Sequence, residues 1–202
     1  MAVGIDTVYQ FKIVLEGIEP IIWRRVRVPS HYSFWDLHVA IQDVMGWLDC
    51  HLHQFDIFNP RRRQKDRIGI PDGTSDDTEP MVAGWQAKIA DYFSLKNKTA
   101  DYLYDFGDSW QHKIMLEEIV SVDRRGQKYP QCIDGKGACP PEDCGGIPGY
   151  YSILKIMNNP KHEEYKNTLE WLGHKFEPEH FSVEQVHFDN PEKRLKKAFS
   201  VK

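Results

Sequence analysis

A chain of 202 residues, 41% hydrophobic and 12% aromatic, is long enough to bury a sizeable core and too apolar for intrinsic disorder. Its formal net charge of −4 excludes a domain-wide basic field that would draw it to nucleic acid. The first residues form no basic leader, and no stretch approaches the ~18 uninterrupted apolar residues of a membrane span, so a cytoplasmic protein without membrane contact is expected.

Tyr9, Phe11, Ile13 and Leu15 alternate with Gln10, Lys12, Val14 and Glu16, which predicts a half-buried strand. After a turn at 17–20, residues 21–28 read as its hairpin partner, with Arg24, Arg25 and Arg27 placing it on an edge or a partly solvated face. Ser33 with Asp36 resembles a capping box. Phe34, Leu37, Ile41, Val44 and Met45 then recur at helical spacing up to Gly46. Residues 51–58 alternate again and read as a strand. The resulting β-β-α-β order is the opening of a β-grasp-like α+β core with a mixed, mainly antiparallel sheet.

Residues 59–80, with Arg61, Arg62, Arg63, Lys65 and Arg67 followed by acids, read as a surface insertion within one domain spanning 1–202. A short helix is expected in 85–95 and a second hairpin over 102–119, turning at Gly107 and Asp108. Residues 129–149 are dense in Pro, Gly and Cys and are expected to form an ordered loop without regular structure. Helices are expected over 150–157, 163–172 and from Pro191 to Phe199, packed on the sheet.

Three groups of residues have the composition of a site. His51 and His53 share a face if 51–58 is a strand, so both would reach one metal ion or one substrate group. Around the second hairpin turn, Asp105, Asp108 and His112 bring two carboxylates and an imidazole together. These five are the catalytic candidates, with Glu142 and Asp143 closing the site from the Pro-rich loop. Turn chemistry and satisfied core histidines explain the same residue types without catalysis. Cys132, Cys139 and Cys144 lack the spacing of zinc ribbons, but with His53, or with His51 or His112 in its place, they would complete a Cys₃His zinc site, the one cofactor suggested. The Arg61–Arg67 run would touch phosphates, with Trp23 adding stacking, yet acids follow it at once, so direct DNA binding is not favoured.

Asp105-Phe106-Gly107 alone matches the kinase magnesium triplet, but no glycine-rich loop or catalytic-loop motif accompanies it. Longer strings say more. Pro20-Ile21-Ile22-Trp23-Arg24-Arg25, Phe34-Trp35-Asp36-Leu37-His38, Gly46-Trp47 and His51-Leu52-His53-Gln54-Phe55 are joined by the string Tyr104 to His112. Cys139-Pro140-Pro141-Glu142-Asp143-Cys144-Gly145-Gly146 and Phe176-Glu177-Pro178 follow. Together, across roughly residues 8–199, the chain resembles the plasmid pRiA4b open-reading-frame-three-like family, named after an Agrobacterium root-inducing plasmid. The resemblance implies little about activity, since members carry labels such as transposon passenger or TnpR-like resolvase without a mechanism. No activated serine and no helix-turn-helix support a recombinase here. Three readings follow: a binding or adaptor module associated with mobile-element or plasmid-type genes, with another protein as partner, which is favoured; a metal-dependent or acid/base enzyme; and a DNA-associated accessory protein.

Overall fold

The computed structural model describes residues 5–71, 80–123 and 127–200. Among these residues eight strands form one sheet: β1 (Ile5–Leu15), β2 (Ile22–Pro29), β3 (His53–Asn59), β4 (Gln64–Gly69), β5 (Val82–Ala83), β6 (Thr99–Tyr104), β7 (Trp110–Asp123) and β8 (Gln131–Lys136). Their order is β5-β4-β3-β6-β7-β1-β2-β8, antiparallel at every seam except the parallel β4–β5 pair. The fold is therefore α+β with a mixed, mostly antiparallel sheet. Strand β3 lies three places from β1, with the β6–β7 hairpin between them.

Helix α1 (Phe34–Met45) forms where the capping signals place it. Ser33 Oγ accepts from the Asp36 amide at 3.2 Å, and the Asp36 carboxylate accepts from the Ser33 amide at 2.7 Å. Gly46 ends the helix at φ 85°, a left-handed conformation that costs glycine nothing. Phe34, Leu37, Ile41 and Val44 of α1 share one core with Phe11, Val26, Phe55, Tyr102 and Ile114 from the sheet. Each such side chain contributes roughly 1.5–3 kcal/mol through burial. On the opposite sheet face the polar halves of the alternating strands lie in solvent. There Arg25 pairs with Glu117 at 2.6 Å and, with Lys12, flanks the Trp23 ring.

Several expectations change. Strand β4 lies inside the segment read as an insertion, with Asp66 and Ile68 buried; the acids at 72–79 lie outside the described residues. Strand β8 occupies part of the Pro-Gly-Cys segment and pairs with β2, so β2 is not an edge. Arg25 and Arg27 face the solvated side. Arg24 is buried, its guanidinium donating to the carbonyls of Val44, Trp23 and Lys136 and stacking 3.7 Å from the Phe181 ring. The short helix α2 (Ile89–Tyr92) and the helices α3 (Gly146–Met157), α4 (Tyr165–Leu172) and α5 (Pro191–Ser200) fall close to their expected positions. Helix α5, however, packs on α1 rather than on the sheet, with the Trp35 indole N–H donating to the Pro191 carbonyl at 2.9 Å. Among the described residues, no helix is long and apolar enough to cross a membrane.

Candidate cation-binding site

Three loops meet at one end of the sheet. The first, 46–52, links α1 to β3; the second is the β6–β7 turn; the third is the Cys-Pro-Gly segment entering α3. Tyr104, the last residue of β6, ties all three. Its hydroxyl donates to Glu142 Oε1 at 2.6 Å and accepts from the Cys50 amide at 3.1 Å. Glu142 also accepts from the Leu48 amide at 3.1 Å, and the Trp47 indole N–H donates to the Pro140 carbonyl at 2.9 Å. The third loop meets the second where Asp108 Oδ2 accepts from the Gly145 amide at 3.1 Å. Side chains are excluded at the join, because a Cβ on Gly146 would lie 2.7 Å from the Asp108 carbonyl oxygen.

This scaffold brings His51, Asp105 and Asp143 together, their potential ligand atoms all within 4.8 Å of one another. His51 Nε2 lies 2.9 Å from Asp143 Oδ1 and 3.7 Å from Asp105 Oδ2. The Nε2 atom itself is buried and has no hydrogen-bond partner among the described residues, Asp143 approaching it as an ion-pair partner. Both aspartates have φ of 55°, uncommon outside glycine. Asp105 is fixed by its amide donating to the Leu52 carbonyl at 3.0 Å and by its Oδ1 accepting from the Gly107 amide at 2.9 Å. One imidazole nitrogen and two carboxylates suit a divalent cation of the zinc or manganese kind. Three protein ligands leave coordination positions open.

The five sequence candidates are divided by this geometry. His51 precedes β3, at a bend, and stands at the rim; His53, the first residue of β3, points into the core and is 2% exposed. The two histidines therefore do not share a strand face. His53 stacks on His38 with ring centroids 3.5 Å apart, and His112 lies fully buried beside Tyr102 and Trp47. Asp108 braces the third loop and is not in the triad. Asp143, expected as a closing residue, is a full member, whereas Glu142 serves as an anchor.

Beneath the rim lies a buried polar nest that the sequence reading did not single out. Gln42 Nε2 donates to the Tyr102 hydroxyl at 3.0 Å; that hydroxyl lies 2.9 Å from His38 Nδ1, and His38 Nε2 lies 2.8 Å from Asp49 Oδ1. This order makes Tyr102 the donor to His38 and His38 the donor to Asp49. Burial holds the pKa values of His38 and His53 well below the usual imidazole range and pushes that of Asp49 up to about 6. His38 and Gln42, four residues apart and both fully buried on α1, are the signal that would have revealed the nest.

Among the described residues the cysteines do not converge with His53. Among the described residues the triad is the only group of three or more His, Cys, Asp or Glu ligand atoms so closely spaced, and it contains none of Cys132, Cys139, Cys144 and His53. Cys132 Sγ faces the Asp134 carbonyl at 3.6 Å and Cys144 Sγ the Gly146 carbonyl at 3.8 Å, and all four thiols are free. Burial pushes the Cys139 thiol pKa up and raises that of Cys144 to about 12. The basic run is likewise engaged locally, Arg61 with Asp91 at 2.6 Å and Arg62 with the buried Asp66.

The profile of the plasmid pRiA4b ORF-3-like proteins matches residues 7–185. The chain belongs to this family. It is 35% identical over 169 residues to the uncharacterized protein y4hQ of Sinorhizobium fredii, covering 84% of this chain and 82% of that one. It is also similar to the crystal structure of MM3350 from Methanosarcina mazei, a protein of unknown function. That likeness has a TM-score of 0.82 and 48% identity, covering 91% of this chain and 98% of that one. The pRiA4b ORF-3-like match takes in all three site loops, so the triad belongs to the shared part of the chain and not to an appended segment.

Proposed function

We propose that the protein is a binding module that holds one divalent cation through His51, Asp105 and Asp143 and presents its open coordination positions to a ligand. The observation that carries this reading is the convergence of a buried imidazole nitrogen and two carboxylates that satisfy one another by no hydrogen bond. Asp105 accepts the Gly107 amide through Oδ1, leaving Oδ2, the atom nearer His51, for the cation. Unlike a disulfide or a zinc ribbon, such a centre staples three loops without cysteine.

The wider reading is a single cytoplasmic domain with a β-grasp-like core, its β1–β2–α1–β3 run divided by the β6–β7 hairpin, acting as a binding or adaptor protein associated with mobile-element genes. A metal-dependent enzyme is the second reading, and the three-ligand count favours it, because catalytic metal sites keep a position open where structural ones close. Titration with Mn²⁺ followed by electron paramagnetic resonance tests the first claim. One tightly bound ion, lost in both H51A and D143N, is the expected result. Absence of bound Mn²⁺, or equal binding by D143N, overturns it.

A further inference from the structure

A cleft of about 530 Å³ runs between the 46–48 segment, the Pro140-Pro141 segment and α4. It shares two segments with the triad. Leu48 lies three residues before His51, and Glu142 immediately precedes Asp143, whose Cα is therefore ~3.8 Å from that of Glu142. Trp47, Leu48, Pro140, Pro141, Trp171 and Phe176 supply its apolar wall, and Glu142 and His174 are polar groups that also line it. Two of these project into solvent, Leu48 at 75% exposure and Trp171 at 53%. Leu52, which follows His51, and Phe106, which follows Asp105, are also about half exposed. Leu48 and Trp171, large apolar groups so exposed and lining one cleft, are the kind of surface that a ligand covers. The volume falls within the ~300–1,000 Å³ of small-molecule sites.

Resting on the cation reading above, we infer that the triad and the cleft form one site for a small organic acid. Its carboxylate completes the coordination of the cation, and an apolar body about the size of one aromatic ring lies between Trp171 and the Pro140-Pro141 wall. The charges fit only when the ion is present. A divalent cation cancels the two triad carboxylates, and Glu142 is engaged by the Tyr104 hydroxyl and the Leu48 amide. Without the ion, Asp105, Asp143, Asp108 and Glu142 repel an anion, so binding is strictly cation-dependent. The carboxylate fixes the orientation and the apolar contact supplies discrimination by size.

Isothermal titration of the full chain with 4-phenylbutyrate, with and without saturating Mn²⁺, tests the inference. Acetate and 4-phenylbutyramide serve as the head-only and tail-only probes, and Mn²⁺ water-proton relaxivity reports directly on the metal. The expected result is phenylbutyrate binding only with Mn²⁺, accompanied by a fall in relaxivity as water leaves the ion. Acetate and the amide should bind at least tenfold more weakly. Trp171→Ala, an exposed position on α4, should weaken phenylbutyrate at least tenfold and leave Mn²⁺ affinity unchanged. Equal binding of the amide, binding without Mn²⁺, no effect of Trp171→Ala, or a Phe-terminated tripeptide binding tenfold more tightly than phenylbutyrate each overturns the inference. Failure of Mn²⁺ itself to bind, seen by resonance before any acid is added, marks instead the failure of the cation reading.

Discussion

At the residue scale, Tyr104 and His112 show how burial at the end of the sheet separates anchoring from proton uptake. The Tyr104 hydroxyl holds Glu142, and through it the loop that carries Asp143, so Tyr104→Phe leaves every proposed ligand in place but loosens one of them. Its expected effect is a loss of cation affinity of about tenfold, the lower end of what outer-shell partners contribute, measured by the same Mn²⁺ titration. His112 has a different role. Its Nδ1 donates to the Trp110 carbonyl at 3.0 Å, Nε2 has no hydrogen-bond partner among the described residues, and burial lowers its pKa to about 4. An unfolded histidine titrates near 6.5. Above that pH both states are neutral and stability is at its full value. As the pH falls from about 6.5 toward 4 the unfolded chain takes up a proton that the native state refuses. Stability is then lost at ~1.4 kcal/mol per pH unit, about 3 kcal/mol in all for this one group. Urea midpoints across that range should fall less steeply in His112→Leu than in the parent by about one proton, and parallel slopes would contradict the assignment.

At the scale of elements, helix α5 is clipped to the site loop through charge. Arg194 reaches Asp43 at 2.7 Å, also pairs with Asp189, and lies 3.8 Å from Asp49, the residue that receives His38. Asp43 and Asp49 are largely buried, so Arg194→Ala leaves two carboxylates without their cation. It should cost about 2–3 kcal/mol in chemical denaturation, the scale of breaking a mostly buried ion pair. A cost near zero would mean that α5 is a loosely attached surface helix. Helix α1 was legible in the sequence because its signals are local: a reciprocal cap at Ser33 and Asp36, a 3.6-residue apolar period and a glycine stop. Strand β8 was not, because Gln131–Lys136 lies among Pro, Gly and Cys and becomes a strand only by pairing with β2, roughly a hundred residues earlier.

At the scale of the whole molecule, an eight-stranded sheet carries α1 on one face and leaves much of the other solvated, and the candidate site occupies the end where three connections cross. The hairpins, the helix positions and the carboxylates at the β6–β7 turn could be read from period and turn chemistry. How the histidines divide could not, since one bend at His51 decides whether it follows His53 into the core or stays at the rim. Asp143 could be named as a closing residue from its place in the Pro-rich loop, while its approach to His51 depends on contacts between loops far apart in sequence. The cysteines drew attention as metal ligands because they cluster along the chain. In the fold they face backbone carbonyls and apolar neighbours.

The central claim is that His51, Asp105 and Asp143 hold one divalent cation, and a crystal of the full chain soaked in Zn²⁺ tests it most directly. The account predicts a single strong anomalous peak at the zinc edge, about 2.0–2.2 Å from His51 Nε2 and from one oxygen each of Asp105 and Asp143, and no such peak in crystals of D143N. A peak at Cys132, Cys139 or Cys144, or none at the triad, would contradict it.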